Sequence, residues 1–478
     1  MRELTKDLLE KKILILGLGD EGISTYTFLR KLAPGKLISL ADKLPFESLP
    51  EKAKRACSGD DNIEFICGEN YLRSLRGHEI IFKSPGIDPF LPEVEEARSQ
   101  GKLRSNTGIF LDLCKGKIIG VTGTKGKSTT TSLIYEVLRV GGVDTRLIGN
   151  IGVPPLSALI GSSPSTTFAL ELSCHQLLEL NRSPNVAVVQ NIVPEHLDFY
   201  KTFDRYVAAK RNIVLYQDAS DYVLYNASYP IPRQFADLSR GVKMPFGVGL
   251  DNGLRCSFLN GQVLYSDDGI TERIIADTDI PLRGAFNIFN VMPAILVGKM
   301  FGLDSGTIKM AIKAFKPLPH RLELVGTCRG VTFYDDSIAT VPQATIGAIE
   351  SFEGRPIILI AGGDEREQDF RELALCITKN NVKKLVLFNP TGIRIIQEIE
   401  KVAEKVVKHR EYCYVPTMHD AVEAALDGAA EGDVVLLCPA GASHSSFVDF
   451  VDRGDQFKAE IHRFCGSNDV QTELGQIN

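Results

Sequence analysis

The chain has 478 residues, of which 44% are hydrophobic and 24% charged, and its formal net charge is −6. This composition is typical of a globular protein, and the acidic balance argues against broad binding to nucleic acid or to an anionic membrane surface. No run approaches the roughly 18 apolar residues of a membrane-spanning helix, and the charged start MRELTKDLLEKK does not resemble a signal peptide. The ten cysteines are scattered without a C-x-x-C pair, which indicates a reducing cytoplasm rather than a disulfide or zinc framework.

Predicted strands and helices alternate in three successive segments. In the first, the strand KILILGLG precedes the helix DEGISTYTFLRKL, and the strands LISLAD and EIIFKSPGI follow. The second combines the strands KIIGVTG, FALELS and NVAVVQNI with the helix TTSLIYEVLRVGG, and residues 220–285 have the short alternating runs of an antiparallel subdomain. The third begins after FKPLPHR and contains the strands VTFYDD, IILIAGG, KLVLFN and DVVLLCPAG.

This alternation predicts an α/β fold with parallel sheets in three domains, over residues 1–110, 111–317 and 318–478. The first and third domains are expected to be Rossmann-like, and the central one is expected to resemble a P-loop ATPase. Ligands of such sheets bind at the carboxyl ends of the strands.

A first glycine-rich loop, residues 17–22, has the pattern G-x-G-x-x-G after the first strand, and Asp42 ends the second strand. Glycines at this place let a backbone approach a pyrophosphate at a helix N-terminus, as in dinucleotide sites. A tight turn without a ligand has the same pattern. Asp20 and Glu21 would repel a pyrophosphate directly over the loop, which favours a UDP-type ligand with Asp42 as a hydrogen-bond acceptor.

A second glycine-rich loop, GVTGTKGKSTTT, ends like a phosphate-binding loop but has Val121 where the motor and GTPase form has its first glycine. Its backbone N–H groups would still surround phosphates, Lys127 would supply a point charge, and Ser128 would offer a hydroxyl to Mg²⁺. A chance match in a basic loop is the alternative. The position between a strand and a helix favours the nucleotide site.

The stretch GVTGTKGKST resembles the ATP loop of the Mur ligases and of their folylpolyglutamate synthase relatives. Further motifs of that family follow in order along the whole chain: GNIG (149–152), ELSCHQL (171–177), NIVPEHLD (191–198), YVAAKRNI (206–213), FNIFNVMPA (286–294), HRLE (320–323), DDSIAT (335–340), AGGD (361–364) and CPAGASHSSFVDFVDRGDQF (438–457). The set is most similar to the glutamate-adding branch. It implies a cytoplasmic, monomeric enzyme of peptidoglycan precursor synthesis that uses ATP to join D-glutamate to UDP-N-acetylmuramoyl-L-alanine through an acyl phosphate.

The resemblance implies a catalytic group at the ATP loop. Lys127 and two Mg²⁺ ions would screen the carboxylate from the γ-phosphate. Ser128 and Glu171 would hold the first ion. His196 would hold the second, together with Lys210, whose neutral amine would add CO₂ and become N6-carboxylated. From the residues alone, the position of Glu171 at the end of a buried strand favours a metal ligand over a buried ion-paired group. His196 is equally explained as a structural histidine, and Lys210 is better explained as a surface residue.

The resemblance also implies three sets of binding residues. ATP would contact Gly123, Thr124, Lys125, Gly126, Lys127, Ser128, Thr129, Asn287, Asn290, Arg321 and Asp336. The UDP-sugar would contact Gly19, Asp20, Glu21, Gly22, Asp42, Ser84, Gly86, Asn150 and Ser173. The incoming amino acid would contact Thr340, Arg366, Ser443 and Phe450.

The amino-acid pocket departs from the family pattern at two positions. Ile338 in DSIAT and Arg366 after GGD stand where lysines are common in the glutamate-adding enzymes. An arginine fork binds a carboxylate from a different angle than an ammonium does. D-glutamate is therefore expected, and L-glutamate stays open as the alternative.

Three rival functions explain less of the chain. A nicotinamide dehydrogenase accounts for residues 17–42 but leaves the ATP loop unused. A P-loop switch or motor needs an aspartate after an apolar strand, where FALELS has Glu171. A folylpolyglutamate synthase has no place for the first domain.

Overall fold

The computed structural model describes residues 8, 10–249, 253–352, 354–365, 368–403, 411–443 and 446–466. The chain divides into two compact units, Met1–Ile280 with Ile288–Phe315 and Pro281–Asn287 with Lys316–Asn478. The first predicted domain and most of the second fall in one unit, so the boundary near residue 110 stays a prediction.

The first unit opens with a five-stranded parallel sheet. Its strands are β1 (Ile13–Leu16), β2 (Ile38–Asp42), β3 (Ile63–Cys67), β4 (Ile80–Lys83) and β5 (Leu103–Arg104). The order is β3-β2-β1-β4-β5, and Ile13 pairs with both Ile38 and Ile80. Because β1 has its sequence neighbour on one side and a later strand on the other, the loop after β1 lies where the strand order reverses, which is where such sheets bind ligands.

The first unit also contains a nine-stranded sheet of order β14-β13-β12-β11-β10-β9-β6-β8-β7. Its strands are β6 (Lys117–Thr122), β7 (Thr145–Gly149), β8 (Thr167–Glu171), β9 (Val186–Val189), β10 (Tyr222–Asn226), β11 (Val242–Val248), β12 (Cys256–Leu259), β13 (Gln262–Asp267) and β14 (Ile270–Ala276). The carboxyl ends of β6, β8 and β9 meet at one edge, because Val121 pairs with both Glu171 and Val188.

The prediction of an antiparallel subdomain over residues 220–285 is wrong for its first part. The strands β10 and β11 pair in parallel with their neighbours and continue the main sheet, and only the β12–β13 and β13–β14 pairs are antiparallel. Short, half-buried parallel strands have the same alternating pattern as the strands of a separate antiparallel subdomain, so the sequence did not distinguish the two.

The second unit holds a six-stranded sheet of order β15-β16-β20-β17-β18-β19. Its strands are β15 (Glu323–Cys328), β16 (Val331–Asp335), β17 (Ile357–Gly362), β18 (Val382–Phe388), β19 (Glu411–Tyr414) and β20 (Val434–Leu437). The β15–β16 pair is antiparallel and the remaining pairs are parallel. The central strands β17 and β20 are buried along their whole length, as expected for a parallel sheet covered on both faces.

Helices alternate with the strands, and the predicted helix DEGISTYTFLRKL coincides with the first of them. Their bounds are α1 (Asp20–Leu32), α2 (Glu51–Cys57), α3 (Pro92–Ser99), α4 (Asn106–Leu113), α5 (Lys127–Val140), α6 (Pro155–Ala158), α7 (Cys174–Leu177), α8 (Leu197–Tyr200), α9 (Phe203–Leu215), α10 (Pro230–Leu238), α11 (Phe286–Met300), α12 (Ser305–Lys313), α13 (Pro342–Glu350), α14 (Arg371–Lys379), α15 (Thr391–Ala403), α16 (Met418–Leu426) and α17 (Phe450–Cys465). The α/β class with mainly parallel sheets is confirmed. Among the described helices, none has both the length and the apolar character needed to cross a membrane.

One disulfide joins Cys328 at the end of β15 to Cys465 at the end of α17, with their Cα atoms 6.1 Å apart. The expectation that the cysteines form no disulfide is therefore wrong at this pair. The two residues are separated by 137 positions, and only the packing of α17 against the third sheet brings them together.

Candidate active site at the phosphate loop

Two glycines of the phosphate loop are required by its backbone. Gly126, the residue that caps the N-terminus of α5, has φ 81°, and a Cβ atom there would lie 2.3 Å from Asn290 Oδ1. A Cβ atom on Gly123 would lie 2.7 Å from Gln190 Cβ. Side chains are therefore excluded at both positions, which explains why this loop has glycines at 123 and 126.

The loop is held by the segment after β9. The Thr124 N–H donates to Asn191 O at 2.7 Å, and the Thr124 hydroxyl donates to Val193 O at 3.0 Å. Within the loop, Lys127 Nζ donates to the Thr124 carbonyl at 2.9 Å. Burial lowers the pKa of Lys127, while the carboxylates of Glu171 and other neighbours act to raise it. The ammonium is thus held inside the loop, where phosphates would be surrounded by backbone N–H groups.

Lys210 lies directly beneath this loop. Lys210 is 1% exposed, and its Nζ donates to Gly123 O at 2.8 Å and to Thr122 Oγ1 at 3.3 Å. Burial, with the neighbouring Lys127 charge, lowers the pKa of Lys210 to about 7. The alternative of a surface lysine on α9 is wrong, and an amine with this pKa is partly neutral at physiological pH.

Glu171 ends β8 and is 1% exposed. Its Oε1 accepts a hydrogen bond from Asn150 Nδ2 at 3.1 Å, and the Asn150 N–H donates to the Glu171 carbonyl at 3.1 Å. Its Oε2 is buried and has no hydrogen-bond partner among the described residues. A buried carboxylate oxygen without a donor is costly, and an oxygen ligand of this kind fits a hard cation such as Mg²⁺.

His196 follows β9 and lies in the turn that precedes α8. Its φ of 55° places it in the left-handed region, and its side chain is exposed. The neighbouring Glu195 pairs with Lys125 of the loop at 2.7 Å. Burial acts to raise the pKa of Glu195, but the Lys125 charge and hydrogen bond outweigh it and lower that pKa.

Sequence reasoning missed two polar residues that support the loop, Gln190 and Glu195. Gln190 Nε2 donates to Thr130 Oγ1 at 3.0 Å and to the Phe289 carbonyl at 2.8 Å. The Thr130 hydroxyl in turn donates to Asn290 Oδ1 at 3.1 Å, so Asn290 joins the loop through Thr130. The signal available was position: Gln190 and Glu195 both follow β9, whose carboxyl end is beside the loop.

The first glycine loop is fixed by Asp42 and Ser84. Asp42 Oδ2 accepts the Leu18 N–H at 2.8 Å and Oδ1 accepts the Leu44 N–H at 3.0 Å. Ser84 Oγ donates to the Gly17 carbonyl at 2.7 Å, and a Cβ atom on Gly22 would lie 2.0 Å from Gly17 O. Both predicted side chains therefore reach the loop, and each bonds its backbone. Gly19 and Gly86 are exposed beside it.

The two acidic residues of this loop have protein partners. Asp20 pairs with Lys52 at 2.5 Å, and Glu21 Oε1 accepts from Gln176 Nε2 at 2.6 Å. Burial raises the pKa of Glu21 to about 7. Ser173 accepts the Gln176 N–H at 3.2 Å at the start of α7, so Gln176 brings Glu21 and Ser173 together.

Predicted ATP residues of the second unit form a separate group. Asp336 Oδ1 accepts the Leu322 N–H at 3.0 Å, and its Oδ2 lies 3.3 Å from the Cys438 thiol. Burial raises the pKa of Asp336 to about 6. Arg321 Nε is buried without a hydrogen-bond partner in the described part of the chain. The Asn287 amide donates to the Arg283 carbonyl.

Predicted amino-acid-binding residues of the second unit lie on three segments. The Thr340 carbonyl accepts from Gln368 Nε2 at 3.1 Å. Ser443 is buried, and the Phe450 carbonyl accepts from Ser337 Oγ at 2.6 Å. Arg366 lies outside the described residues.

Comparisons with known proteins cover nearly all of the chain. The family described as Mur ligase middle domain matches residues 121–298, and the one described as Mur ligase, glutamate ligase domain, matches residues 320–441. The UDP-N-acetylmuramoylalanine–D-glutamate ligase of Acetivibrio thermocellus is 36% identical over 97% of this chain and 98% of its own length. The protein of the same name in Streptococcus pneumoniae is 33% identical over 94% of this chain and 96% of its own length.

Solved structures share the fold at lower identity. The UDP-N-acetylmuramate–alanine ligase of Thermotoga maritima has a TM-score of 0.59 at 16% identity, covering 96% of this chain and 100% of that one. A pseudomurein peptide ligase type C from Methanothermus fervidus has a TM-score of 0.56 at 16% identity, covering 95% of this chain and 100% of that one.

Proposed function

The chain belongs to the Mur ligase family, and we propose that it is an ATP-dependent ligase that adds D-glutamate to UDP-N-acetylmuramoyl-L-alanine, releasing ADP and phosphate. The observation that carries this is the meeting of Lys127, Lys210 and the buried Glu171 at one phosphate loop. The names of the relatives support the substrates.

In the proposed reaction, the carboxylate of the alanyl substrate attacks the γ-phosphorus of ATP, ADP leaves, and an acyl phosphate forms. The glutamate amine then attacks the acyl carbon, loses a proton, and phosphate leaves. Both steps require anions to approach one another. Lys127 and the backbone N–H groups at the start of α5 offset that repulsion, because they are already oriented before the charge develops.

Mg²⁺, when bound, supplies positive charge between the carboxylate and the phosphates. Glu171 and Ser128 would hold one ion, and the orphaned Oε2 of Glu171 supports this assignment. His196 and a carboxylated Lys210 would hold a second. The Lys210 amine, depressed in pKa by burial, would add CO₂ and release a proton, so that a buried cation becomes an anionic ligand.

The remaining assignments follow the same chemistry. Asn287, Asn290, Arg321, Asp336 and the loop residues 123–129 would contact ATP. The first glycine loop, with Asp42, Ser84, Gly86, Asn150 and Ser173, would contact the UDP-sugar. Thr340, Arg366, Ser443 and Phe450 would hold glutamate, and Ile338 with Arg366 keeps L-glutamate as the alternative. Three domains over residues 1–110, 111–317 and 318–478, a cytoplasmic location and a monomer complete the proposal.

Phosphate release tests the function. Purified protein with Mg-ATP and UDP-N-acetylmuramoyl-L-alanine is expected to release phosphate when D-glutamate is added and to form a product one glutamate heavier. Omitting either co-substrate is the control. The same assay with L-glutamate decides the enantiomer. Absence of product with both enantiomers would contradict the ligase, and stabilisation of the protein by NADH would favour the dehydrogenase.

A further inference from the structure

A cluster of soft metal ligands lies beside the proposed ATP site. One ligand atom each from Cys174, His175 and His196 lies within 4.8 Å of the other two. The Cys174 residue is 3% exposed, His175 is half-buried and His196 is exposed. The cluster therefore combines the buried thiol of Cys174 with the exposed imidazole of His196, which ions in solution can reach.

Two separate pieces of backbone bring these ligands together. Cys174 and His175 begin α7, immediately after the strand that ends at Glu171. His196 precedes α8 in a left-handed turn. The centroids of the His175 and His196 rings are 5.1 Å apart at an interplanar angle of 65°, so the two rings meet edge to face.

The surrounding aromatic residues also constrain the ligands. Tyr200 is fully buried, and its hydroxyl lies 3.4 Å from His175 Nδ1. The Phe199 ring packs 4.3 Å from that of His175. Hydrogen bonds and packing behind metal ligands fix their orientation and raise metal affinity.

The ligand types select the metal. Mg²⁺ prefers oxygen ligands, whereas thiolate and imidazole suit Zn²⁺ and other borderline or soft divalent ions. Tetrahedral zinc ligands lie about 3.3–3.6 Å apart, so ligand atoms that are within 4.8 Å of one another would need to approach by at most about 1.5 Å. Three protein ligands leave one position for water, as in exchangeable rather than closed zinc sites.

We propose that Cys174, His175 and His196 form a binding site for Zn²⁺ or a similar borderline-soft divalent ion, and that occupation of this site takes His196 away from the proposed Mg²⁺ site. On binding, the Cys174 thiol loses its proton to solvent and the thiolate bonds the metal. The metal site stands on the geometry alone, while the inhibitory consequence rests on the proposed function of His196.

Binding is tested with Co²⁺ as a spectroscopic probe for Zn²⁺. Titration of metal-free protein is expected to give a thiolate-to-cobalt charge-transfer band in the near ultraviolet that saturates at one equivalent and disappears when Zn²⁺ is added. Cys174→Ser should lose the band, and Cys67→Ser, at a half-buried cysteine of β3, should keep it. No band in the wild type, or a band that survives in Cys174→Ser, would overturn the site.

A second variant covers the case in which Cys174→Ser folds poorly. His175→Gln is expected to weaken Zn²⁺ at least about tenfold, a lower bound taken from the 10–100-fold effects of residues merely behind metal ligands. Competition against a chromophoric chelator measures this affinity, with circular dichroism as the check on folding. An unchanged Zn²⁺ affinity in folded His175→Gln would exclude that residue and with it the three-ligand site.

The inhibitory consequence is tested by phosphate release at saturating Mg²⁺. One equivalent of Zn²⁺ is expected to inhibit the wild type and Cys67→Ser, while Cys174→Ser keeps most of its activity. Equal inhibition of all three would show that Zn²⁺ acts elsewhere and overturn the coupling to His196. If even the zinc-free proteins release no phosphate, the proposed function fails, and the cobalt band still decides the metal site.

Discussion

Lys210 Nζ lies 2.8 Å from the carbonyl oxygen of Gly123, which ties the middle of α9 to the phosphate loop. The contact places a buried amine near Lys127, and their mutual repulsion adds to burial in depressing the pKa of Lys210 to about 7. Two interacting cations in a buried site are unfavourable unless one is neutral or converted to an anion.

Lys210→Ala should be nearly inactive, because the variant has no amine to carboxylate. Acetate should restore part of the activity by replacing the carbamate oxygens, and removal of bicarbonate should lower wild-type activity. Lys210→Arg should be inactive with or without acetate, since a guanidinium stays positive. Phosphate release measures the activity in all five conditions, and full activity of Lys210→Arg would refute the carbamate role.

The same lysine should make stability depend on pH. Between pH of about 7 and its ordinary value of 10.5, Lys210 is neutral in the folded protein and protonated in the unfolded chain. The unfolded state then binds more protons, so the free energy of unfolding rises with pH by about 1.4 kcal/mol per pH unit from this group. Urea unfolding in CO₂-free buffer measures this free energy at each pH. Over this pH range, the free energy of unfolding should rise more steeply with pH for the wild type than for Lys210→Met. Parallel pH curves for the two proteins would contradict the depressed pKa.

Lys127→Ala should lower turnover by about 10²–10³-fold, the usual cost of removing one oriented charge at a reacting centre. Lys125→Ala is the matched control in the same loop and should lose much less, because Lys125 is exposed and paired with Glu195 at 2.7 Å. Steady-state kinetics compare the two. Near-normal turnover of folded Lys127→Ala would end the ATP-loop assignment.

Glu171→Gln should raise the Mg²⁺ concentration needed for half-maximal phosphate release by about 10–100-fold. The melting temperature of the variant should not be lower than that of the wild type. The amide keeps an acceptor for Asn150 Nδ2, and the substitution removes a buried charge whose Oε2 has no hydrogen-bond partner among the described residues. Glu136→Gln, at a pair with Arg139 on α5, is the control. A marked loss of thermal stability with normal Mg²⁺ dependence would assign Glu171 a structural role.

Arg366→Ala should raise KM for glutamate by about 10–100-fold, the cost of losing a charge-assisted hydrogen bond of about 1.5–3 kcal/mol, and leave KM for ATP nearly unchanged. The control is Arg371→Ala, an exposed position at the start of α14. An unchanged KM for glutamate would remove Arg366 from the pocket.

Local sequence determined the elements and the loops. Buried strands such as Ile13–Leu16 and Val434–Leu437 are short apolar runs, and helix α1 ends where the apolar periodicity ends. Gly123 and Gly126 were recognisable because a loop that surrounds phosphates excludes side chains at particular places, and that exclusion depends on a few neighbouring residues. The α/β class followed from the alternation of such elements.

Tertiary structure alone decided the environments of the charged and sulfur-containing side chains. Lys210 lies on a helix whose composition resembles a surface helix, and only packing beneath the phosphate loop buries it. The approach of His196 to Cys174, like the Cys328–Cys465 disulfide, joins segments far apart in the chain. Burial, pKa and ligand grouping depend on such long-range contacts, because desolvation and charge act through space and not along the sequence.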